Sequence, residues 1–326
     1  MTKRAPQDIR VLVVHDRPET HIDIIEARFP GLPVGICRDR SALDAMLTRF
    51  APEAVLSFKF NVNEPVPHEA IFACESVRWV HVAGAGIDHL CAWDGGRTTL
   101  TNSAGVLSPY LAEYVMSAML MANFGFPRYA RQQSNSEWVQ HPWRPIEQRS
   151  VLLVGLGRIG SRVAEGAKKN GMRVLGVRSH DTPAPNVDKL YPPEDLPDAV
   201  AEADFVCLHV PLTDRTRGLI NAAVIARMKP EAWLINTARG PVVDEAALIA
   251  ALREKRIAGA IIDVFDAEPL PADSPLWALD NVVITPHVSD SIADWERPMA
   301  TLFCDNLDRW IADQPLENVV DPKLGY

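Results

Sequence analysis

VLLVGLGRIGSRVAEGAKKNGMRVLGVR, residues 151–178, reads as an apolar strand, a turn with glycines at 155, 157 and 160, an amphipathic helix and a second strand. The three glycines serve different physical ends. Gly155 permits the tight turn off the strand, Gly157 lets backbone come close to a pyrophosphate, and Gly160 lets the helix pack against the sheet. The first N–H groups of the helix, from Arg158 onward, have no partner within it, and with the helix dipole they form an anion site. A lone glycine-rich turn says little. Here strand, glycines, helix and second strand fall in register, and that combination specifies a dinucleotide site. Where the second strand ends, an acidic residue would hold the ribose 2′-hydroxyl of NAD; this chain has Arg178 followed by Ser179, a pair suited to a 2′-phosphate. The reading therefore favours NADP(H), with NAD(H) as the alternative because Asp181 follows close behind, after His180.

Outward from this stretch the strand pattern continues. VLLVG, RVLGV, DFVCLHV, AWLINT, GAIIDV and NVVIT are six strand candidates, the number of the doubly wound dinucleotide fold. Upstream, residues 10–103 alternate short apolar runs (IRVLVVH, LPVGIC, AVLSF, VRWVHV) with helix-like segments, which predicts an α/β unit on a parallel sheet. No glycine fingerprint follows its first strand, so no nucleotide is assigned there. One long apolar helix is expected from about Ser108 to Gln133, leading into the Trp-rich loop SEWVQHPWRP. Beyond Pro286 the chain reads as helical and is expected to return to the first domain. The expected architecture is thus α/β in two domains: a Rossmann dinucleotide-binding domain over 104–290, inserted in a smaller flavodoxin-like substrate domain made of 1–103 and 291–326.

The 326 residues, 47% of them apolar, suffice for two cores. Acidic residues outnumber basic ones 42 to 33, which argues against a nucleic-acid or anionic-membrane surface, so an anionic ligand must be met by a local cluster of positive groups. The five cysteines, at 37, 74, 91, 207 and 304, form no CxxC and no regular spacing, so neither a zinc site nor a disulfide framework is expected, and a reducing cytoplasm is the expected compartment. The start, MTKRAPQDIRVLVV, runs straight into a strand without a signal-peptide pattern. No run approaches the ~18 apolar residues of a membrane span.

In an open parallel sheet, ligands bind beyond the carboxyl ends of the strands. Three strands of the second series run into groups that carry chemistry: AWLINT into Arg239, GAIIDV into Glu268 and NVVIT into His287. Each residue type alone has an ordinary structural use. Together on the nucleotide's edge they supply what reduction of a 2-keto acid requires. The planar donor fork of Arg239 can hold the carboxylate and the carbonyl oxygen. His287 can give the proton, and Glu268, hydrogen-bonded to it, can fix the ring and favour its charged form.

These residues carry a resemblance. INTARGPVVDEAALIAAL, IDVFDAEPLPADSPLWALDNVVITPHVS and VGLGRIG resemble the D-isomer-specific 2-hydroxyacid dehydrogenases, and most nearly their glyoxylate/hydroxypyruvate reductase branch. The resemblance places the catalytic Arg, Glu and His on Arg239, Glu268 and His287. It implies that VAGAGIDHL offers the N–H groups of Ala85 and Gly86 to the substrate carboxylate. It puts cofactor contacts on Gly155, Gly157, Arg158, Ile159, Gly160, Val210, Pro211, Thr216, Thr237, Ala238 and Asp263, the last receiving the nicotinamide amide. It also implies a homodimer in which a loop tryptophan, here Trp143, reaches the neighbouring active site; Trp138 and Trp143 also suit a plain interface. Asp290 and the bulky Tyr110 depart from the family pattern. Two other readings stay open: another 2-hydroxyacid or phosphonate dehydrogenase using NAD, for which formate-type enzymes are disfavoured because they have Gln where Glu268 stands, and a nucleotide-sensing binding protein like the C-terminal-binding corepressors.

Overall fold

The computed structural model describes residues 4–58, 60, 65–87, 89–179 and 182–322. The chain divides into two compact units, Met1–Val106 with Ala293–Tyr326, and Leu107–Ile292. The two crossings thus fall at 106/107 and 292/293, against 103/104 and 290/291 expected from sequence.

The first unit is built on five parallel strands, β1 (Val11–Val14), β2 (Val34–Cys37), β3 (Ala54–Ser57), β4 (Trp79–Val82) and β5 (Thr99–Asn102), in the order β2-β1-β3-β4-β5. That is the flavodoxin-like order. Strands β1, β3 and β4 are buried along their whole length, as continuous apolar strands covered on both faces must be. Three helices, α1 (Glu19–Arg28), α2 (Leu43–Phe50) and α3 (His68–Ala73), connect them. The C-terminal helix Glu296–Ile311 completes the unit: Phe303 stacks on Trp79 at 4.9 Å, and Arg28 of α1 pairs with Asp305 at 2.6 Å and with Asp308.

The second unit has seven parallel strands: β6 (Ser150–Val154), β7 (Arg173–Val177), β8 (Lys189–Tyr191), β9 (Phe205–Leu208), β10 (Trp233–Asn236), β11 (Gly259–Ile262) and β12 (Val282–Ile284). Their order is β12-β11-β10-β9-β6-β7-β8. Counted from β6, this is the doubly wound order 3-2-1-4-5-6 with one further strand at the far edge. Six of the seven are the six strand candidates; β8, the KLY segment, has only Tyr191 buried and no apolar run to announce it. Helices α4 (Ser108–Phe124) and α5 (Phe126–Ser134) replace the single long helix expected from sequence. Gly125 separates them in a left-handed conformation, φ 76°, which terminates α4 as such glycines do, while Pro127 suits the first turn of the next helix. The remaining helices are α6 (Arg158–Lys169), α7 (Leu196–Glu202), α8 (Ala222–Arg227) and α9 (Glu245–Arg253). Strand alternation sorts the core into two layers. Val151 and Leu153 of β6 meet Val163, Ala164 and Ala167 of α6 and Val115 and Met119 of α4, whereas Leu152 and Val154 face Leu196, Val200 and Val224 on the other side. Among the described residues no helix is long and apolar enough to cross a membrane.

Candidate active site

The strand order reverses between β6 and β9, and the glycine loop lies at that point. Gly155 has φ 99°, and a Cβ there would lie 2.8 Å from the His209 carbonyl oxygen at the end of β9. A Cβ on Gly160 would lie 2.1 Å from the Gly155 carbonyl oxygen, so α6 sits directly on the loop. Gly157, the residue before α6, is different: its Cβ would meet nothing within 4 Å, and no side chain caps the helix. Tight turn, open cradle and close helix contact are thus divided among three glycines as a pyrophosphate site requires. Arg158 is exposed and Ile159 half-buried at the first turn of α6. Arg178 follows β7 with its N–H donated to the Tyr191 carbonyl (3.2 Å), its guanidinium reaches the Thr182 carbonyl (3.4 Å), and Ser179 is exposed beside it. His180 and Asp181 lie outside the described residues. Beyond β9, Thr216 donates to the Pro211 carbonyl (2.6 Å) and accepts from Thr213 N–H (2.8 Å), which closes the loop that presents Val210 and Pro211. Two polar groups here have no partner among the described residues: the Thr237 hydroxyl and both ring nitrogens of His209, whose imidazole burial holds well below its ordinary range, at about 4. Orphaned polar atoms beside an open cradle suit a polar ligand.

The ends of β10, β11 and β12 carry the other three groups. Asn236, 2% exposed, shapes the first turn: its Oδ1 accepts from Ala238 N–H (3.0 Å) and its Nδ2 donates to the Arg239 carbonyl (3.1 Å). Arg239 is half-buried and donates to the Ala238 carbonyl (2.8 Å). Gly240 follows because nothing larger fits; a Cβ would lie 2.0 Å from the carbonyl carbon of Phe265, so the Arg239 loop packs on backbone leaving β11. That same backbone is held by Glu268, whose Oε1 accepts the Phe265 N–H (3.0 Å). The other oxygen, Oε2, meets His287 Nδ1 at 2.7 Å, with both side chains little more than a third exposed. A carboxylate at that distance makes Nδ1 the protonated nitrogen and leaves Nε2 as the working end of the ring. His287 stands at φ 51°, left-handed and unusual for a residue other than glycine. Asp263 is fully buried beneath it and accepts from Thr285 Oγ1 (2.6 Å), Val288 N–H (2.9 Å) and Ser289 N–H (3.0 Å).

In the first unit, the loop after β4 is braced through its carbonyls, Gly84 by Ser103 N–H (3.1 Å) and Ala85 by Asn102 Nδ2 (2.8 Å). Ala85 is exposed and Gly86 half-buried. Trp143 is 54% exposed, sits edge-on to Phe124 at 4.9 Å, and lines an open depression of about 900 Å³ with Phe126, Tyr129 and His141. Trp138 is 94% exposed, and Tyr110 and Asp290 are also exposed. Among the described residues no group of three His, Cys, Asp or Glu side chains is placed to hold a metal ion. Asn236, Thr285 and Tyr114 all support this edge of the sheet, and sequence alone does not single them out; for the first two the available signal was a polar residue at the end of an apolar strand, INT and VIT.

A doubly wound sheet with a glycine cradle, and a paired carboxylate and imidazole on the same edge, defines a nicotinamide-dependent dehydrogenase. The family described as D-isomer specific 2-hydroxyacid dehydrogenase, NAD binding domain, matches residues 116–289. A glyoxylate reductase from Korarchaeum cryptofilum is 33% identical over 330 residues, 97% of this chain and 96% of that one. Among solved structures, a D-isomer specific 2-hydroxyacid dehydrogenase from Xanthobacter autotrophicus Py2 in complex with NADPH and MES has a TM-score of 0.84 at 34% identity, covering 100% of both chains. An NADPH-dependent glyoxylate/hydroxypyruvate reductase from Sinorhizobium meliloti, in complex with NADP and sulfate, has a TM-score of 0.84 at 26% identity, covering 98% of this chain and 100% of that one. The chain belongs to the NAD(P)-dependent D-isomer specific 2-hydroxyacid dehydrogenase family.

Proposed function

We propose that this protein is an NADPH-preferring reductase of small 2-keto acids, glyoxylate and hydroxypyruvate foremost, giving 2-hydroxy acids of D configuration where the product is chiral. The observation that carries the reading is the 2.7 Å contact of Glu268 with His287 Nδ1, which leaves Nε2 to serve the substrate. When bound, the nicotinamide supplies the hydride. Gly155, Gly157 and Gly160, with the N–H groups of Arg158 and Ile159, hold the pyrophosphate, and Val210, Pro211, Thr216, Thr237 and Ala238 line the rest of the cofactor's course. Asp263 is assigned to the nicotinamide amide, as the family resemblance implies; its carboxylate is fully buried and accepts from Thr285, Val288 and Ser289. Arg239 holds the keto acid by its carboxylate and carbonyl oxygen, with Ala85 and Gly86 N–H assigned to the carboxylate as well. His287 Nε2–H donates the proton to the oxygen as the alcohol forms, and Glu268 stabilises the ring while it is charged. In the reverse direction neutral Nε2 takes the hydroxyl proton.

Relatives bound to NADPH and NADP support the cofactor preference, as does Arg178 with Ser179 at the end of β7. The free cysteines Cys37, Cys74, Cys91, Cys207 and Cys304 suit a reducing cytoplasm, and the exposed Trp138, Trp143 and Phe126 support a homodimer with Trp143 at the partner's substrate. Sedimentation of a monomer at micromolar concentration would remove that part of the reading. The main test follows loss of reduced-nicotinamide absorbance with glyoxylate and hydroxypyruvate, using NADPH and NADH in parallel. Turnover favouring NADPH is expected, and no turnover with either cofactor overturns the reading. Arg178→Asp should move preference toward NADH by removing the phosphate's cation; an unchanged ratio contradicts the cofactor assignment.

A further inference from the structure

Three consecutive backbone N–H groups around the catalytic histidine end on one residue. His287 N–H donates to the Asp263 carbonyl (2.9 Å), Val288 N–H to its Oδ1 (2.9 Å) and Ser289 N–H to its Oδ2 (3.0 Å). A left-handed non-glycine residue persists only where its surroundings impose it, so these bonds keep His287 at φ 51°. Asp263 is in turn held by Thr285 Oγ1 at 2.6 Å, and Thr285 Oγ1 lies 2.6 Å from the hydroxyl of Tyr114 on α4, 171 residues earlier in the chain. The donor order follows from proton counting. A carboxylate oxygen only accepts, so the single hydroxyl hydrogen of Thr285 goes to Asp263, and Tyr114 must donate to Thr285. Burial pushes the Tyr114 phenol up and the field of Asp263 adds to it, which keeps Tyr114 a donor at any working pH.

We propose that Tyr114 is a positioning residue for the reaction: its hydroxyl, relayed through Thr285 to Asp263, fixes the turn that presents His287. The step from tyrosine to catalysis rests on the functional reading above, in which His287 is the proton donor. A phenylalanine would fill the same half-buried space on α4, so packing alone does not require the hydroxyl. What the hydroxyl adds is direction. With it, Thr285 has one orientation, Asp263 Oδ1 has two donors, and the imidazole is aimed; without it, Thr285 can turn away and the turn loosens.

The test compares wild type with Tyr114→Phe, Thr285→Val, Thr285→Ser and the Tyr114→Phe/Thr285→Val double variant. Loss of one such bond corresponds to a fall in kcat of about 3- to 10-fold, expected in Tyr114→Phe and in Thr285→Val with KM for the keto acid held within about twofold; because Asp263 is also assigned to the nicotinamide amide, the dissociation constant for NADPH should rise by no more than the same factor. Thr285→Ser restores the hydroxyl and should restore kcat. The double variant should be no worse than the poorer single one, because residues acting as a unit are not additive. Amide hydrogen exchange at Val288 and Ser289, measured without cofactor, should quicken by about 3- to 10-fold in the same two single variants and not in Thr285→Ser. Wild-type kcat in both single variants, with only the melting temperature lowered, overturns the proposal. So does unchanged exchange at Val288 and Ser289. A wild-type protein that reduces no 2-keto acid fails the functional reading and with it the catalytic claim, whereas the exchange measurement still decides whether Tyr114 holds the turn.

Discussion

The carboxylate of Glu268 does two things at once, accepting the Phe265 N–H through one oxygen and His287 Nδ1 through the other. Glu268→Gln separates them: the amide oxygen can keep the backbone bond, but a neutral amide replaces the carboxylate that meets His287 Nδ1. General acid–base catalysis is worth on the order of 10²- to 10⁴-fold, so kcat for keto-acid reduction should fall by about 10² or more while the melting temperature stays near that of wild type. Steady-state kinetics with a parallel thermal melt decides it; a variant with wild-type kcat would mean that Glu268 only folds the loop. Arg239, Glu268 and His287 were legible from sequence because each is a chemistry-bearing side chain just past an apolar strand of one parallel sheet. Their supports were not. Asn236 and Thr285 look like ordinary strand-end residues until Ala238, Arg239 and Asp263 are seen to be their partners, and Tyr114 sits in an apolar helix with nothing local to mark its hydroxyl.

At the level of elements, the β6–α6 connection was readable almost residue by residue, and its glycines make distinguishable predictions. Gly157→Ala adds a methyl where nothing stands within 4 Å and φ is −77°; the stiffer unfolded chain is offset by alanine's poorer fit as the first cap of α6, so the free protein should stay within about 1 kcal/mol of wild type. That methyl would occupy the space assigned to the pyrophosphate, and NADPH affinity should drop about tenfold or more, the equivalent of about 1.4 kcal/mol. Gly160→Ala drives a methyl to 2.1 Å from backbone oxygen and must lift α6 from the loop, so melting temperature and affinity should fall together. Calorimetric titration with NADPH beside thermal melts of both variants checks this; equal destabilisation by the two would contradict the division of labour. Less of the element pattern was legible elsewhere. KLY, with one buried residue in three, has no hydrophobic period, and β8 exists because β7 offers it a free edge. The single helix expected from Ser108 to Gln133 runs through Gly125 and Pro127, although glycine followed two residues later by proline is itself a stop-and-restart signal; apolar periodicity outweighs it in the reading, and the structure breaks the helix there.

Across the whole molecule the histidines set the response to acid. His21 and His81 are fully buried and His68 nearly so, and burial pushes them down to about 4, about 3 and about 4; His209 is held at about 4 by the same cause. A histidine whose folded value is depressed is neutral in both states above about 6.5, so its contribution is complete there. As pH falls from about 6.5 toward about 4, the unfolded chain binds protons that the folded chain refuses, and stability declines by up to about 1.4 kcal/mol per pH unit for each such group. Carboxylates depressed by their partners act later: Glu202, pulled to about 2 by Lys189, Tyr191 and Arg173, withdraws its share only below the ordinary glutamate range. Between pH 6.5 and 5 the histidines should therefore govern, and unfolding free energies from guanidinium titrations at pH 7.5, 6 and 5 should already be falling at 6. His21 offers the sharpest check. Neither of its ring nitrogens has a partner among the described residues, and its ring lies against Phe58 at 4.3 Å and near Trp295 at 6.1 Å. His21→Leu removes two unpaired polar atoms without adding bulk, so it should leave stability at pH 7.5 unchanged or raised by about 1 kcal/mol and make the fall toward pH 5 shallower than in wild type. An identical slope in the variant, or a wild-type protein equally stable at pH 7.5 and 5, would show that the buried imidazoles find their protons at no cost to the fold.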